Sequence, residues 1–284
     1  METTRTASVR EEIIDPSIEN ARSEDCNLSI LLSEDGLVFS ILRNDLKKFI
    51  VLGDYVHDPA QENKQALFYF KQQLKGKFAN YAIGFDTPKF TVVPLALFQQ
   101  DALESYASFQ FERDGDESLL YDEIPGIGLV IVYAVPNDMK ALLAEHFQGI
   151  MFRHSAYFGL SYYAALYKNQ PGEHIHLNVW DGTATIYVVD NGQIQLCTQF
   201  SFQSNEDLLY FVLNVYEQIG LNPERVPLKV SGNMHKKLDS WDLLEKYIRY
   251  VELEKRPVGY QYSHEFSTLP DHKYNRIFQA ATCV

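Results

Sequence analysis

Between residues 27 and 53 the apolar positions fall into three short blocks, 28–32, 37–42 and 47–53, separated by polar turns. The first two are nearly continuous runs of Leu, Ile, Val and Phe, the pattern of strands covered on both faces. Ser33-Glu34-Asp35-Gly36 joins them, and its Asp-Gly step is a hairpin signal because glycine tolerates positive φ. The same rhythm returns over 174–203, where Asp190-Asn191-Gly192 supplies a second strong turn. In each half the strand triplet is followed by helix-spaced and strand-like segments in alternation.

In the first half, Leu67, Phe70 and Leu74 share one face of a helix over 61–74. Strands follow at 81–85 and 90–93, then a helix over 95–109. Residues 112–128 read as an acidic, glycine-containing connection. A buried strand at 129–135 leads through Pro136-Asn137-Asp138 into a helix striped by Met139, Leu142, Leu143 and Phe147. A short strand is expected at 150–152, then a linking helix with Tyr157, Leu160, Ala164 and Tyr167 on one side. In the second half, 207–219 is the clearest helix of the chain, with a wide apolar face and Gly220 at its end. A strand at 226–230 runs into Ser231-Gly232-Asn233, and helices near 241–247 and 271–281 flank a strand at 250–253. The order three strands, helix, strand, helix, strand, helix is thus predicted twice. It defines an N-terminal arm (1–26, loose or added to a sheet edge), a first unit (27–152), a linker (153–173) and a second unit (174–284).

Composition narrows the function without naming it. With 284 residues the chain has length for one large or two medium cores, and 46 % apolar and 22 % charged residues are the ordinary globular mixture. A net charge of −13 repels a phosphate backbone, so nucleic acid is not an expected partner. Cys26, Cys197 and Cys283 have neither metal-site spacing nor an even count, which fits a reducing, cytoplasmic setting. The most apolar run, 127–135, is too short to span a bilayer, and the N-terminus lacks a signal-peptide core.

The doubled topology resembles the actin-like ATPase superfamily, whose two subdomains share a ribonuclease H-like sheet and face each other across a cleft. The stretch VIVYAVPNDMKALLAEHF, the linking helix and LNVWDGTATIYVVDNGQIQLCTQF look like corresponding segments of pilus-assembly and type II secretion proteins with this fold. TPKFTVVPLALF, residues 87–98, is similar to a segment of an uncharacterised bacterial family that carries it. The resemblance implies an α/β protein of duplicated ribonuclease H-like subdomains. In members that hydrolyse ATP, an acidic, glycine-rich hairpin in each unit holds phosphate and Mg²⁺. Here Ser29-Ile30-Leu31 and Asn178-Val179-Trp180 stand where such motifs are expected. Asn is a poorer Mg²⁺ partner than Asp, and Trp obstructs close approach of phosphate.

Two functions follow from the resemblance. The leading expectation is a noncatalytic or degenerate interaction module whose partner is another protein. The alternative is a nucleotide-binding ATPase or phosphotransferase using ATP/Mg. In that reading Asp181, Gly182 and Thr183 sit near phosphate after a register slip, and Ser231, Gly232 and Asn233 form the turn near adenosine.

Other constellations carry less. His174 and His176 are two apart on a strand but lack a third ligand, so they are expected as exposed strand positions and no metal is assigned. Asp114, Asp116, Glu117, Asp122 and Glu123 lack the ordered ligand spacing of a calcium loop. His264, Glu265, Asp271 and His272 have no nucleophile near them and are expected to pack over the sheet as a polar tail. Neither Gly-x-Ser-x-Gly nor a P-loop occurs, and the first strand has none of the carboxylates a ribonuclease H-type nuclease needs. No catalytic residue is assigned.

Overall fold

The computed structural model describes residues 8–34, 36–56, 77–147 and 149–283. The helix expected at 61–74 and the Asp35 half of the first turn lie outside the described residues.

The chain opens with β1 (Ser8–Ile14) and continues through β2 (Cys26–Ser33), β3 (Gly36–Arg43), β4 (Lys48–Val56) and β5 (Asn80–Phe85). Next come β6 (Phe90–Pro94), α1 (Leu103–Gln110), β7 (Glu117–Ile124), β8 (Leu129–Pro136), α2 (Asn137–His146), β9 (Phe152–His154) and α3 (Ser155–Tyr167). The second half holds β10 (Glu173–Trp180), β11 (Thr183–Asp190), β12 (Gln193–Ser201), α4 (Asn205–Ile219), β13 (Leu228–Gly232), α5 (Asp239–Tyr247) and β14 (Val251–Leu253). β15 (Gln261–Tyr262) and α6 (Asn275–Ala281) end it.

Among the described residues, two of the three sheets share one connectivity. β2, β3 and β4 form an antiparallel meander, and β5 and β9 add in parallel on the β2 side, giving the order β4-β3-β2-β5-β9. β10, β11, β12, β13 and β14 repeat it as β12-β11-β10-β13-β14, with the same strand directions. The N-terminal arm is an edge addition: β1 runs antiparallel along β4, and β15 pairs with the start of β4.

The hydrophobic pattern explains the layers. β2 and β4 bury almost every side chain, so helices or a second sheet cover both faces. One face packs with the third sheet and α3, through Leu28, Ile30, Ile131, Tyr133 and Leu160. The other face meets α6, where the Phe49 and Phe278 rings stand 4.7 Å apart edge to face. The end of the chain therefore crosses back onto the first sheet. α4 covers the second sheet with Leu208, Val212, Val215 and Tyr216. It is closed by a Ser204–Asp207 capping box and by Gly220 in the left-handed region.

Three expectations change. Residues 112–128 are not merely a connection: β7 runs through them, its strand pattern masked by Glu117, Asp122 and Glu123, of which Glu117 and Asp122 are enclosed and paired with Lys89 and Arg153. β6 starts a separate sheet, β6-β8-β7, inserted with α1 and α2 between β5 and β9, an addition the predicted repeat order did not contain. The helix expected over 95–109 is two 3₁₀ turns followed by a short α1, and the last helix begins at Asn275 rather than 271.

α3 joins the halves through a polar network instead of apolar contact alone. Lys229 Nζ donates to the Tyr167 hydroxyl at 3.0 Å, which directs the tyrosine's own proton to His176 Nε2, 2.9 Å away. His176 Nδ1 lies 2.9 Å from Glu254, which also accepts from Tyr163 at 3.1 Å. Burial alone would lift the Glu254 carboxyl, but these partners more than offset it and hold it below its ordinary value. The two histidines are thus not the exposed strand positions expected of them. His176 is buried and its ring stacks on Tyr163, while His174 stacks on Tyr167.

Candidate functional site: the cleft between the sheets

The β2–β3 and β10–β11 hairpins point their turns into one cleft, bordered also by β1, the end of β5 and α6. Asp181 and Gly182 form the β10–β11 turn itself, with φ of 43° and 77°. They reach the cleft without any register slip, because Trp180 pairs directly with Thr183 across the turn. β13 lies parallel beside β10 with Asn178 opposite Ser231, so the end of β13 brings Ser231, Gly232 and Asn233 to the same place. Of the six residues expected near a nucleotide, Asp181 and Thr183 border the cleft, whereas Gly182, Ser231, Gly232 and Asn233 lie beside them and line neither of its cavities.

Their polar atoms are already engaged. Asp181 accepts from Arg10 Nη1 at 2.8 Å and from Asn233 Nδ2 at 3.2 Å. Thr183 Oγ1 donates to the Trp180 carbonyl at 2.7 Å, and Ser231 Oγ accepts from Asn178 Nδ2 at 2.9 Å. The Gly232 amide donates to the His272 carbonyl at 2.9 Å. Gly232 has φ of +88°, and a Cβ there would lie 2.0 Å from the Val179 carbonyl oxygen. The glycine is needed to let two backbones pass, which accounts for it without a ligand.

The cleft holds further charged residues that no motif marked. Asp54 accepts from the Tyr274 hydroxyl at 2.9 Å and has Arg10 at 3.8 Å, yet burial keeps its carboxyl above the ordinary value. Asp86 pairs with Arg276 and accepts from Ser155 Oγ at 2.8 Å. Burial opposes ionisation of Asp86, but Arg276 and Ser155 prevail and hold its carboxyl low. Lys273 stands 3.6 Å from Glu11. Arg10, Asp54, Asp86 and Arg276 come from β1, β4, the end of β5 and α6, so no local spacing could have announced them.

Trp180 fills the middle. Its ring lies 5.4 Å from Tyr274 and carries the Arg10 guanidinium at 5.8 Å from its centroid. The remaining cavity is about 150 Å³, with a second space of about 40 Å³ beside Tyr274. Pockets that enclose a drug-sized ligand run to roughly 300–1,000 Å³. Glu34, Asp54, Asp86 and Asp181 all border the larger cavity, whereas its one bordering cation among the described residues is Arg10. A triphosphate would meet carboxylates there.

The tail expected to lie as a polar cover is partly buried structure. His272 is enclosed, its Nε2 against the Met234 carbonyl, and burial pushes its pKa down. Among the described residues no group of three His, Cys, Asp or Glu is placed to hold a metal ion, and no helix is long and apolar enough to cross a membrane.

Known proteins match this arrangement at the level of fold. A Bacteroides thetaiotaomicron protein of unknown function with an actin-like ATPase fold superposes with a TM-score of 0.78 at 21 % identity, over 92 % of this chain and 97 % of that one. A chain of the PilM–PilN type IV pilus biogenesis complex superposes with a TM-score of 0.61 at 12 % identity, over 92 % and 97 %. The fold is therefore that of the actin-like ATPases. No curated protein matches the chain. Residues 15–251 match the family described as protein of unknown function DUF3822, and the chain belongs to that family.

Proposed function

We propose that this is a noncatalytic actin-like protein that works through contacts with another polypeptide, its nucleotide cleft having been converted into a fixed internal joint. One observation carries the reading: Arg10, Asp181 and Asn233 satisfy one another where a phosphate and its metal would sit, around a cavity of about 150 Å³. The shared strand order of the two main sheets supports descent from one duplicated unit, with copies at 27–152 and 174–284 joined through 153–173. A relative of this fold found in the PilM–PilN complex supports a protein partner. The net charge of −13 disfavours nucleic acid, and three free cysteines fit a cytoplasmic setting.

Thermal unfolding with and without millimolar Mg·ATP tests the reading. Occupancy at 100 times Kd would stabilise the native state by about 2.7 kcal/mol. An unchanged midpoint is expected. A nucleotide-dependent rise would establish the alternative, an ATP/Mg site using Asp181, Gly182, Thr183, Ser231, Gly232 and Asn233, which is favoured only by the nearness of the β10–β11 turn and the end of β13 beside the cleft.

A further inference from the structure

Sheet edges expose unpaired backbone groups, and folded proteins guard them with charge, proline or brevity. Most edges here are guarded. β1 carries Arg10, Glu11 and Glu12, and β7 exposes Glu123, while its Glu117 and Asp122 turn inward to Lys89 and Arg153. β6 ends in Pro94, while β9 and β14 are three residues each. β12 is the exception. It is nine residues long, QIQLCTQFS, with no charge and no proline, and it forms the outer strand of the second sheet with β11 as its one pairing partner among the described residues.

A groove of about 310 Å³ runs along β12, with β6 as its far wall. Phe90 and Val92 of β6, Leu129 of β8 and Gln110 of α1 line that side, and Gln195 and Thr198 line the β12 side. No Asp, Glu, Lys or Arg borders the groove. On a chain of net charge −13, an uncharged strip this long selects against charged guests on either side of neutrality, because each would lose hydration without gaining a counter-charge. The chemistry left to a guest is backbone hydrogen bonding plus alternating apolar contact, the requirements of strand addition.

We propose that β12 is the docking edge for an uncharged, extended segment of a partner polypeptide, which adds to the second sheet as a sixth strand. The occupant is a single strand rather than a second copy of this chain. The β6 wall leaves a slot instead of an open edge, and the bulge at Gln195 bends the strand away from flat sheet-to-sheet continuation. Two copies at −13 also repel. This deepens the interaction reading above and rests on it.

A display library of random decapeptides selected on the full chain tests the proposal, with the doubly substituted Gln195→Lys/Thr198→Lys chain as comparator. The expected winners are uncharged, alternate apolar and polar residues, and bind the substituted chain at least tenfold more weakly. On the unsubstituted chain, methylating alternate peptide nitrogens should abolish binding, and the peptide should slow amide exchange over 193–201. The methylation and exchange arms stand even if the double variant misfolds. An empty selection, winners indifferent to N-methylation, or protection confined to other segments would overturn the proposal. Winners protecting another surface would leave the interaction reading intact, whereas a Mg·ATP-dependent thermal shift would strike that reading and not this edge.

Discussion

Arg10 Nη1 lies 2.8 Å from the Asp181 carboxylate, tying the first described strand to a hairpin turn 171 residues later. The same guanidinium stands 3.8 Å from Asp54 and covers the Trp180 ring, so one side chain links the two main sheets across the cleft. The cleft is thus held by protein groups from both halves.

Removing that link should loosen the cleft more than it destabilises the fold. Both partners are about one-third exposed, 30 % and 32 %, so the pair contributes under about 1 kcal/mol. Arg10→Ala is expected to lower Tm by about 2 °C and to make Trp180 more accessible to acrylamide quenching. Trp241, the other tryptophan, is buried in the second core and gives the unchanged reference signal. Equal quenching before and after the substitution would mean Arg10 does not close the cleft.

Asp86 and Arg276 form the more heavily buried pair, with Ser155 as a third member. Breaking it leaves a charge enclosed without its counter-charge, so Asp86→Asn should cost about 3 kcal/mol in urea unfolding. The double replacement Asp86→Leu/Arg276→Met should recover most of that loss, since paired removal leaves no orphaned ion. Because the Asp86 carboxyl is held below its ordinary value of 3.8, its contribution is present above that pH and is lost only as pH falls through the lower folded value.

His154 gives a distinct pH dependence. Its Nε2–H donates to the Thr87 carbonyl at 2.9 Å, while Nδ1 accepts from the Ala156 amide at 3.1 Å and caps α3. The ring is fully buried, and burial lowers its pKa from 6.5 to about 4. Protonation would take away the lone pair that caps the helix. The unfolded chain therefore binds the proton first. Stability is complete above pH 6.5 and falls as pH drops from 6.5 toward 4, by on the order of 3 kcal/mol. His154→Asn should be less stable at pH 7 and should lose this share of the slope when urea unfolding is compared at pH 7, 6 and 5.

Gly232→Ala tests whether this glycine serves the backbone. The added methyl would lie 2.0 Å from the Val179 carbonyl oxygen at a φ of +88°. A loss of more than about 2 kcal/mol is expected from the clash together with the left-handed strain. A neutral substitution would show that β13 and β10 can separate at little cost.

What the sequence determined by itself was local order. Continuous apolar runs over β2, β3 and β11, the Asn191-Gly192 turn and the capped, amphipathic α4 follow from period and turn chemistry that act within a few residues. The repeated order of strands was legible for the same reason, and the resemblance built on it led to the actin-like fold. The sequence also proposed Asp181, Gly182, Thr183, Ser231, Gly232 and Asn233 as one site; the parallel pairing of β10 and β13 sets them side by side, with Asp181 and Thr183 alone bordering the cavity.

Only the tertiary structure decided what occupies that site. Arg10, Asp54, Asp86, Tyr274 and Arg276 are scattered over the whole chain, and an ion pair between distant elements leaves no periodic mark on either. The same limit hid β7, whose Glu117 and Asp122 read as loop until Lys89 and Arg153 enclose them, and placed β6 in a sheet of its own. Burial of His176 depended on where α3 and its tyrosines came to rest. Backbone propensity and apolar spacing are short-range quantities. Which charges meet, and which strand edge is left bare, is set by the packing of elements far apart in sequence.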